Sequence, residues 1–136
     1  YNYLLDLIKK ENLVTRVKFG GYLNNIDMFY KSKDLIILAS HFEGTSNVIL
    51  ESFNHCKLII VSDIDENKTL FNREEHKFFV FDRNSPKDLA EKILKTKEII
   101  VSNPDFIKKI FVRRKKILKE DYSVRKMAES IYSLLK

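Results

Sequence analysis

A chain of 136 residues suffices for one domain with a buried core, or for part of one. Its 44% hydrophobic and 32% charged content favours a globular domain over a disordered segment, and no stretch approaches the roughly 20 apolar residues of a membrane span. The net charge is +6, and the single cysteine, Cys56, excludes an internal disulfide while remaining compatible with a reducing cytosol.

Apolar periodicity predicts a helix from Tyr3 to about Leu13, with Leu4, Leu7 and Ile8 on one face. A short strand at Val17–Phe19, closed by Gly20-Gly21, precedes a helix over Asn25–Ser32. Leu35-Ile-Ile-Leu-Ala39 is rich in isoleucine and too short for a helix, which fits a strand buried on both faces. A helix at 46–55 leads to a second such strand, Leu58–Val61. A short helix near 66–72 precedes a fourth strand, Lys77–Phe81. Ser85-Pro86-Lys87-Asp88 opens the next helix, with Ser85 as cap, Pro86 in the first turn and Asp88 near the positive end. Asn103-Pro104 breaks that helix, and two more follow, the last capped by Ser123. Strands alternating with helices predict an α/β fold, a Rossmann-like parallel sheet with helices on both faces. Ligands of such sheets sit at the carboxyl ends of the strands.

The loop at one such end carries the most chemistry. Ser40-His-Phe-Glu-Gly-Thr-Ser-Asn-Val-Ile-Leu-Glu51 runs from strand into helix, with Gly44 directly after Glu43. Unpaired amides and the positive dipole end of a helix starting near Thr45 or Ser46 suit a phosphate or diphosphate. Glu51, near the second turn, can accept hydrogen bonds from sugar hydroxyls, and the combination suggests a nucleotide-sugar site. Each glutamate also has a plainer reading. Glu43 can complement the helix dipole, and Glu51 can be a solvated helix residue.

These residues closely resemble retaining glycosyltransferases of the GT-B fold, family 4, which carry an E-G-x-P/S-x-x-x-x-E element after a short strand. Glu43-Gly44 and Glu51-Ser-Phe-Asn occupy that element here, after Asp34-Leu-Ile-Ile-Leu-Ala-Ser40. Val17-Lys-Phe-Gly20 resembles the family's V-x-F-x-G strand, Tyr30 with Asp34 its Y-x-x-A-D, and Leu58-Ile-Ile-Val-Ser-Asp63 its P-V-V-A-S-D. The matches keep their order from about residue 4 to residue 132. Three departures are visible. Cys56-Lys57-Leu58 stands where the family usually has Gly-x-Pro, Asp65-Glu66-Asn67 replaces its glycine-rich turn, and Arg73-Glu-Glu-His-Lys77 replaces its N-G-rich stretch.

The resemblance implies the C-terminal, donor-binding half of a two-domain enzyme, spanning residues 1–136 and lacking that half's first strand–helix–strand. It places Glu43 beside the transferred sugar as the catalytic candidate. Gly44, Thr45, Ser46, Asn47 and Val48 fall to the diphosphate and Glu51 to the ribose, with Gly21 and Tyr22 near the base. The implied donor is a nucleoside-diphosphate sugar, most commonly of uridine, and transfer proceeds with retention to a saccharide or lipid-linked acceptor in polysaccharide or glycan assembly. An N-terminal domain of the same protein would supply the acceptor side, so this chain alone is expected to be inactive. No cofactor or metal is implied. A non-catalytic relative that binds or scaffolds, and a sugar-nucleotide epimerase of related fold, are the alternatives.

Other chemistry is weaker. Asp63-Ile64-Asp65 matches a metal-binding D-x-D but ends a strand; His41, His55 and His76 lack zinc spacing. His55 suits a helix end as a cation, and His41, two residues before Glu43, can line the site. Neither G-x-S-x-G nor G-x-x-x-x-G-K occurs, and three glycines cannot build a glycine-rich cradle.

The basic excess lies wholly in residues 105–136, with 10 Lys or Arg against 4 Asp or Glu. Phe106, Ile107, Ile110, Phe111, Ile117 and Leu118 stripe a helix there. Its Lys108, Lys109 and Arg113–Lys116 read as a solvated basic face, or as a peripheral contact with an anionic membrane. Nucleic acid is disfavoured for want of a recognition motif. The expected location is cytoplasmic, or peripheral at the inner face of the plasma membrane. A start at Tyr1 rather than Met suggests an upstream segment removed, and the Lys, Ile and Asn content suits a bacterium with an A/T-rich genome.

Overall fold

The two isoleucine-rich runs pair as neighbouring strands. In the computed structural model, which describes residues 1–134, β1 (Leu35–Leu38) runs parallel to β2 (Leu58–Ser62), with Leu35 opposite Leu58 and Leu38 opposite Val61. A two-residue strand, β3 (Val80–Phe81), joins the other edge of β2 in the same direction. Parallel neighbours need a crossover. α3 (Asn47–Asn54) provides the first, and α4 (Asp65–Lys68) with α5 (Arg73–Phe79) the second. Ahead of the sheet lie α1 (Asn2–Lys10) and α2 (Ile26–Lys31). Behind it lie α6 (Pro86–Ser102), α7 (Pro104–Glu120) and α8 (Val124–Leu134). The fold is α/β, a small Rossmann-like parallel sheet in the order β1-β2-β3 flanked by helices.

Successive strand residues face opposite sides, so the burial of all five β2 residues means that both its faces are covered. Ile59, Ile60 and Val61 have no exposed surface, and Ile49, Phe53 and Phe79 close on them from the crossover helices. Each such side chain contributes about 1.5–3 kcal/mol by leaving water. The expectation of double-sided burial fails for β1. Ile36 is buried but Ile37 is 43% exposed, because no element among the described residues covers that face.

Local signals set the helix ends. Asn25, Ser85 and Asn103 cap α2, α6 and α7 by accepting from the amides of Met28, Asp88 and Phe106. Ser123 accepts from the amide of Lys126 at the start of α8, as expected. α3 ends in a Schellman arrangement, the amides of Cys56 and Lys57 bonding to the carbonyls of Phe53 and Ser52. Cys56 takes the left-handed φ of 51° that this turn requires and that glycine adopts without strain.

Three further expectations are corrected. Val17–Phe19 is not a strand: the amides of Arg16 and Val17 turn back to the Leu13 carbonyl, and no sheet neighbour is present for the segment. The segment expected as one helix and a five-residue strand holds two helices and only Val80–Phe81 as strand. The reason is a capping box: the Asn72 side chain accepts from the Glu75 amide while Glu75 Oε2 accepts from the Asn72 amide. This starts α5 at Arg73 and lets it run to Phe79.

The third concerns α7. Its apolar stripe packs inward as expected, but the basic face is only partly solvated. Arg114 is fully buried, bonds through Nε to Glu75 Oε1 at 3.2 Å, and lies over the rings of Phe53, Phe71 and Phe79. Arg113 pairs with Glu75 Oε2. Burial draws the Arg114 pKa down, and Glu75 opposes the shift.

Candidate functional site

Because all three strands are parallel, their carboxyl ends lie together, and a chain of side-chain bonds ties those ends to the Glu43 loop. Asn67, fully buried at the end of α4's first turn, donates through Nδ2 to the Ser62 carbonyl at 3.2 Å and to its hydroxyl at 3.3 Å. Ser62 Oγ donates to the Ser40 carbonyl at 2.6 Å, and Ser40 Oγ donates to Glu43 Oε1 at 2.6 Å. Glu43, half-buried, is thus anchored through one carboxylate oxygen. Motif reading passed over Ser40, Ser62 and Asn67 as parts of this relay. A serine at or just beyond the end of each of two adjacent strands was the available signal.

α3 begins one residue beyond Ser46, which has extended backbone at φ −75° and ψ 111°. The first turn's amides bond back from Ile49 and Leu50 to the Ser46 carbonyl, so those of Asn47 and Val48 precede the intrahelical ladder. A serine at this position ordinarily caps the helix with its side chain. Here it does not: Ser46 Oγ is buried, makes no cap bond and has no partner among the described residues. No acidic residue occupies the first turn either. The helix start is therefore an uncompensated positive end with a spare hydroxyl.

Gly44 and Thr45 are exposed in front of it. A Cβ at Gly44 would meet nothing within 4 Å, and its φ is not left-handed. Neither packing nor backbone conformation calls for glycine there, whereas close approach of a ligand would.

Glu51 lies on α3, half-buried, and accepts from the Tyr30 hydroxyl at 3.0 Å. Tyr30, the tyrosine noted beside Asp34 in the sequence, is buried on α2. Burial first, then the bond to Glu51, push its pKa up to about 12. Glu43, Thr45–Val48 and Glu51 are therefore arrayed along one loop and the first two turns of one helix. Gly21 and Tyr22 lie apart in the segment between α1 and α2. Tyr22 is 91% exposed, and no hydrogen bond joins it or Gly21 to residues 43–51 among the described residues. Gly21 takes φ +59°, which glycine permits.

The remaining candidates lie elsewhere or have partners of their own. Asp63 Oδ1 accepts from the Arg83 amide at 3.2 Å, while Asp65 pairs with Lys68, which holds its carboxyl below the usual range. The two D-x-D carboxylates thus have separate partners. His55 sits at the C-terminal end of α3, 3.2 Å from Asp27, and His41 is exposed. A cleft of about 220 Å³ among α5, α6 and α7, lined by Glu74, Lys77, Phe78 and Phe106, shares no residue with the Ser40–Glu51 segment. Among the described residues no helix is long and apolar enough to cross a membrane.

Comparison with known proteins identifies a family. Residues 1–99, from α1 into α6, match the family model described as Glycosyl transferases group 1. No curated protein matches the chain. The matched region contains both glutamates, the α3 start and all three strands, and the chain belongs to the group 1 glycosyltransferase family.

Proposed function

We propose that this chain is the donor-binding part of a retaining glycosyltransferase of GT-B type, family 4, with residues 1–136 forming part of a C-terminal nucleotide-sugar-binding domain. The observation that carries this reading is the α3 start, inside the family match. There, early amides and an unpartnered buried hydroxyl lie between two glutamates that the protein itself anchors.

In transfer, the bond between the anomeric carbon and the leaving phosphate oxygen breaks. Negative charge grows on the nucleoside diphosphate while the sugar ring becomes cation-like. The α3 dipole and the Thr45–Val48 amides meet that negative charge without reorganising, Ser46 Oγ joins them once a turn of the loop exposes it, and one such donor is worth roughly 10²–10³ in rate. Glu43, with Oε1 engaged by Ser40, offers Oε2 to the sugar hydroxyls or the reaction centre. Glu51 takes the ribose, and Gly21 and Tyr22 approach the base. The donor is a uridine diphosphate sugar and the acceptor a saccharide or lipid-linked saccharide in glycan assembly at the cytoplasmic side of the membrane. The acceptor side comes from a partner domain, so the chain by itself does not turn over.

Ligand-observed NMR with uridine, guanosine, adenosine and cytidine diphosphates tests this reading. One nucleotide is expected to bind wild type selectively and to be lost in Glu51→Ala. Binding of none, by this chain and by the intact protein, would remove the transferase reading.

A further inference from the structure

Whether Glu51 can hold a ribose depends on how its carboxylate is oriented, and α2 controls that. Tyr30 is 2% exposed; its hydroxyl donates to Glu51 Oε2 at 3.0 Å and lies 3.4 Å from the Val48 carbonyl. The ring is fixed independently of that bond. It stacks on His55 at 4.9 Å and 5°, and meets Phe29 edge-on at 5.5 Å. His55 Nε2 is in turn 3.2 Å from Asp27 Oδ1, which returns the arrangement to α2. With its pKa pushed up to about 12 by burial and Glu51, the phenol remains a hydrogen-bond donor at any working pH.

A glutamate on a helix loses much rotamer freedom when a ligand fixes it. Here Tyr30 has already fixed it, occupying Oε2 and leaving Oε1. A carboxylate only accepts hydrogen bonds, so whatever meets Oε1 must bring hydroxyl donors. A ligand without them leaves Oε1 desolvated and unpaired.

We propose that Tyr30 is a positioning residue for Glu51, holding Oε2 so that Oε1 faces the vicinal hydroxyls of the bound nucleotide and selects ribose over its deoxy analogues. The inference rests on the donor-site reading above. Removing the phenol hydroxyl alone frees the carboxylate to rotate, and affinity falls only for ligands that use it.

The test is calorimetric titration of the 136-residue chain with the uridine, guanosine, adenosine and cytidine diphosphates and their 2′,3′-dideoxy counterparts. The proteins are wild type, Tyr30→Phe and Glu51→Gln. In Tyr30→Phe, affinity for the bound ribonucleotide is expected to drop about tenfold with that for its dideoxy form unchanged. The ratio of the two affinities does not depend on the fraction folded, so partial unfolding cannot imitate the result. An equal loss for both ligands, or no loss for either, overturns the proposal. If Glu51→Gln loses ribose selectivity while Tyr30→Phe keeps it, the donor site stands and only the role of Tyr30 falls. If wild type binds no ribonucleotide, the titrations are repeated on the intact protein, and binding of none there removes both readings together.

Discussion

Glu75 and the pair Glu43 and Glu51 are treated oppositely by the same fold. Glu75 is fully buried, and both its oxygens are taken, by Arg113, Arg114 and the Asn72 amide. Glu43 and Glu51 are half-buried, and each has a single oxygen engaged by a protein hydroxyl, Ser40 in one case and Tyr30 in the other. The first arrangement consumes the carboxylate's capacity to accept, so it ties α5 to α7. The second orients the carboxylate through one oxygen and leaves the other without a hydrogen bond among the described residues. Ser46 fits the second pattern, as a buried hydroxyl at a helix start without the cap bond its position allows.

The largest expected effect tests the closed cluster. Glu75→Ala leaves Arg114 buried without its counter-charge and is expected to cost about 3–5 kcal/mol in urea unfolding. Replacing Glu75, Arg113 and Arg114 together by apolar residues of similar volume should recover most of that. A loss under about 1 kcal/mol for Glu75→Ala would reduce the cluster to a surface ion pair. On the open side, Glu51→Ala is expected to weaken nucleoside diphosphate binding at least about tenfold, while unfolding free energy stays within about 1 kcal/mol of wild type.

Ser46→Ala sharpens the contrast further. It removes a hydroxyl with no partner and no cap bond to lose, so stability holds or rises slightly, while diphosphate affinity falls about fivefold. A clear drop in melting temperature would show that the hydroxyl serves the fold.

The smallest effect is in pH. Tyr30 has its pKa raised from the ordinary 10.0 to about 12 in the folded chain. The unfolded chain releases that proton first, so the stabilisation from Tyr30 is complete below pH 10 and declines as pH rises toward about 12. The difference in unfolding free energy between wild type and Tyr30→Phe should shrink across that window. A constant difference would uncouple the phenol from Glu51.

Much of the fold was legible because its signals are local. Pro after Ser85 and Asn103 announced α6 and α7, and the isoleucine runs announced β1 and β2. The α3 start was legible for the same reason, since a strand, a short loop and a helix are contiguous. Val17–Phe19 misled because strand propensity is realised only beside another strand. Residues 73–79 misled because the Asn72–Glu75 box was read as missing glycines rather than as a helix start.

By itself, the sequence determined the alternation of strands and helices, most of the caps, and the placing of Glu43 and Glu51 about the α3 start, since these depend on residues within a few positions of one another. Tertiary structure alone decided which basic residue of α7 would be buried, that β1 would keep one face open, and that Tyr30 would meet Glu51. Those outcomes rest on contacts between residues 39 and 21 positions apart for Arg114–Glu75 and Tyr30–Glu51. No local pattern encodes them, because packing chooses the partner and burial makes the choice costly to reverse.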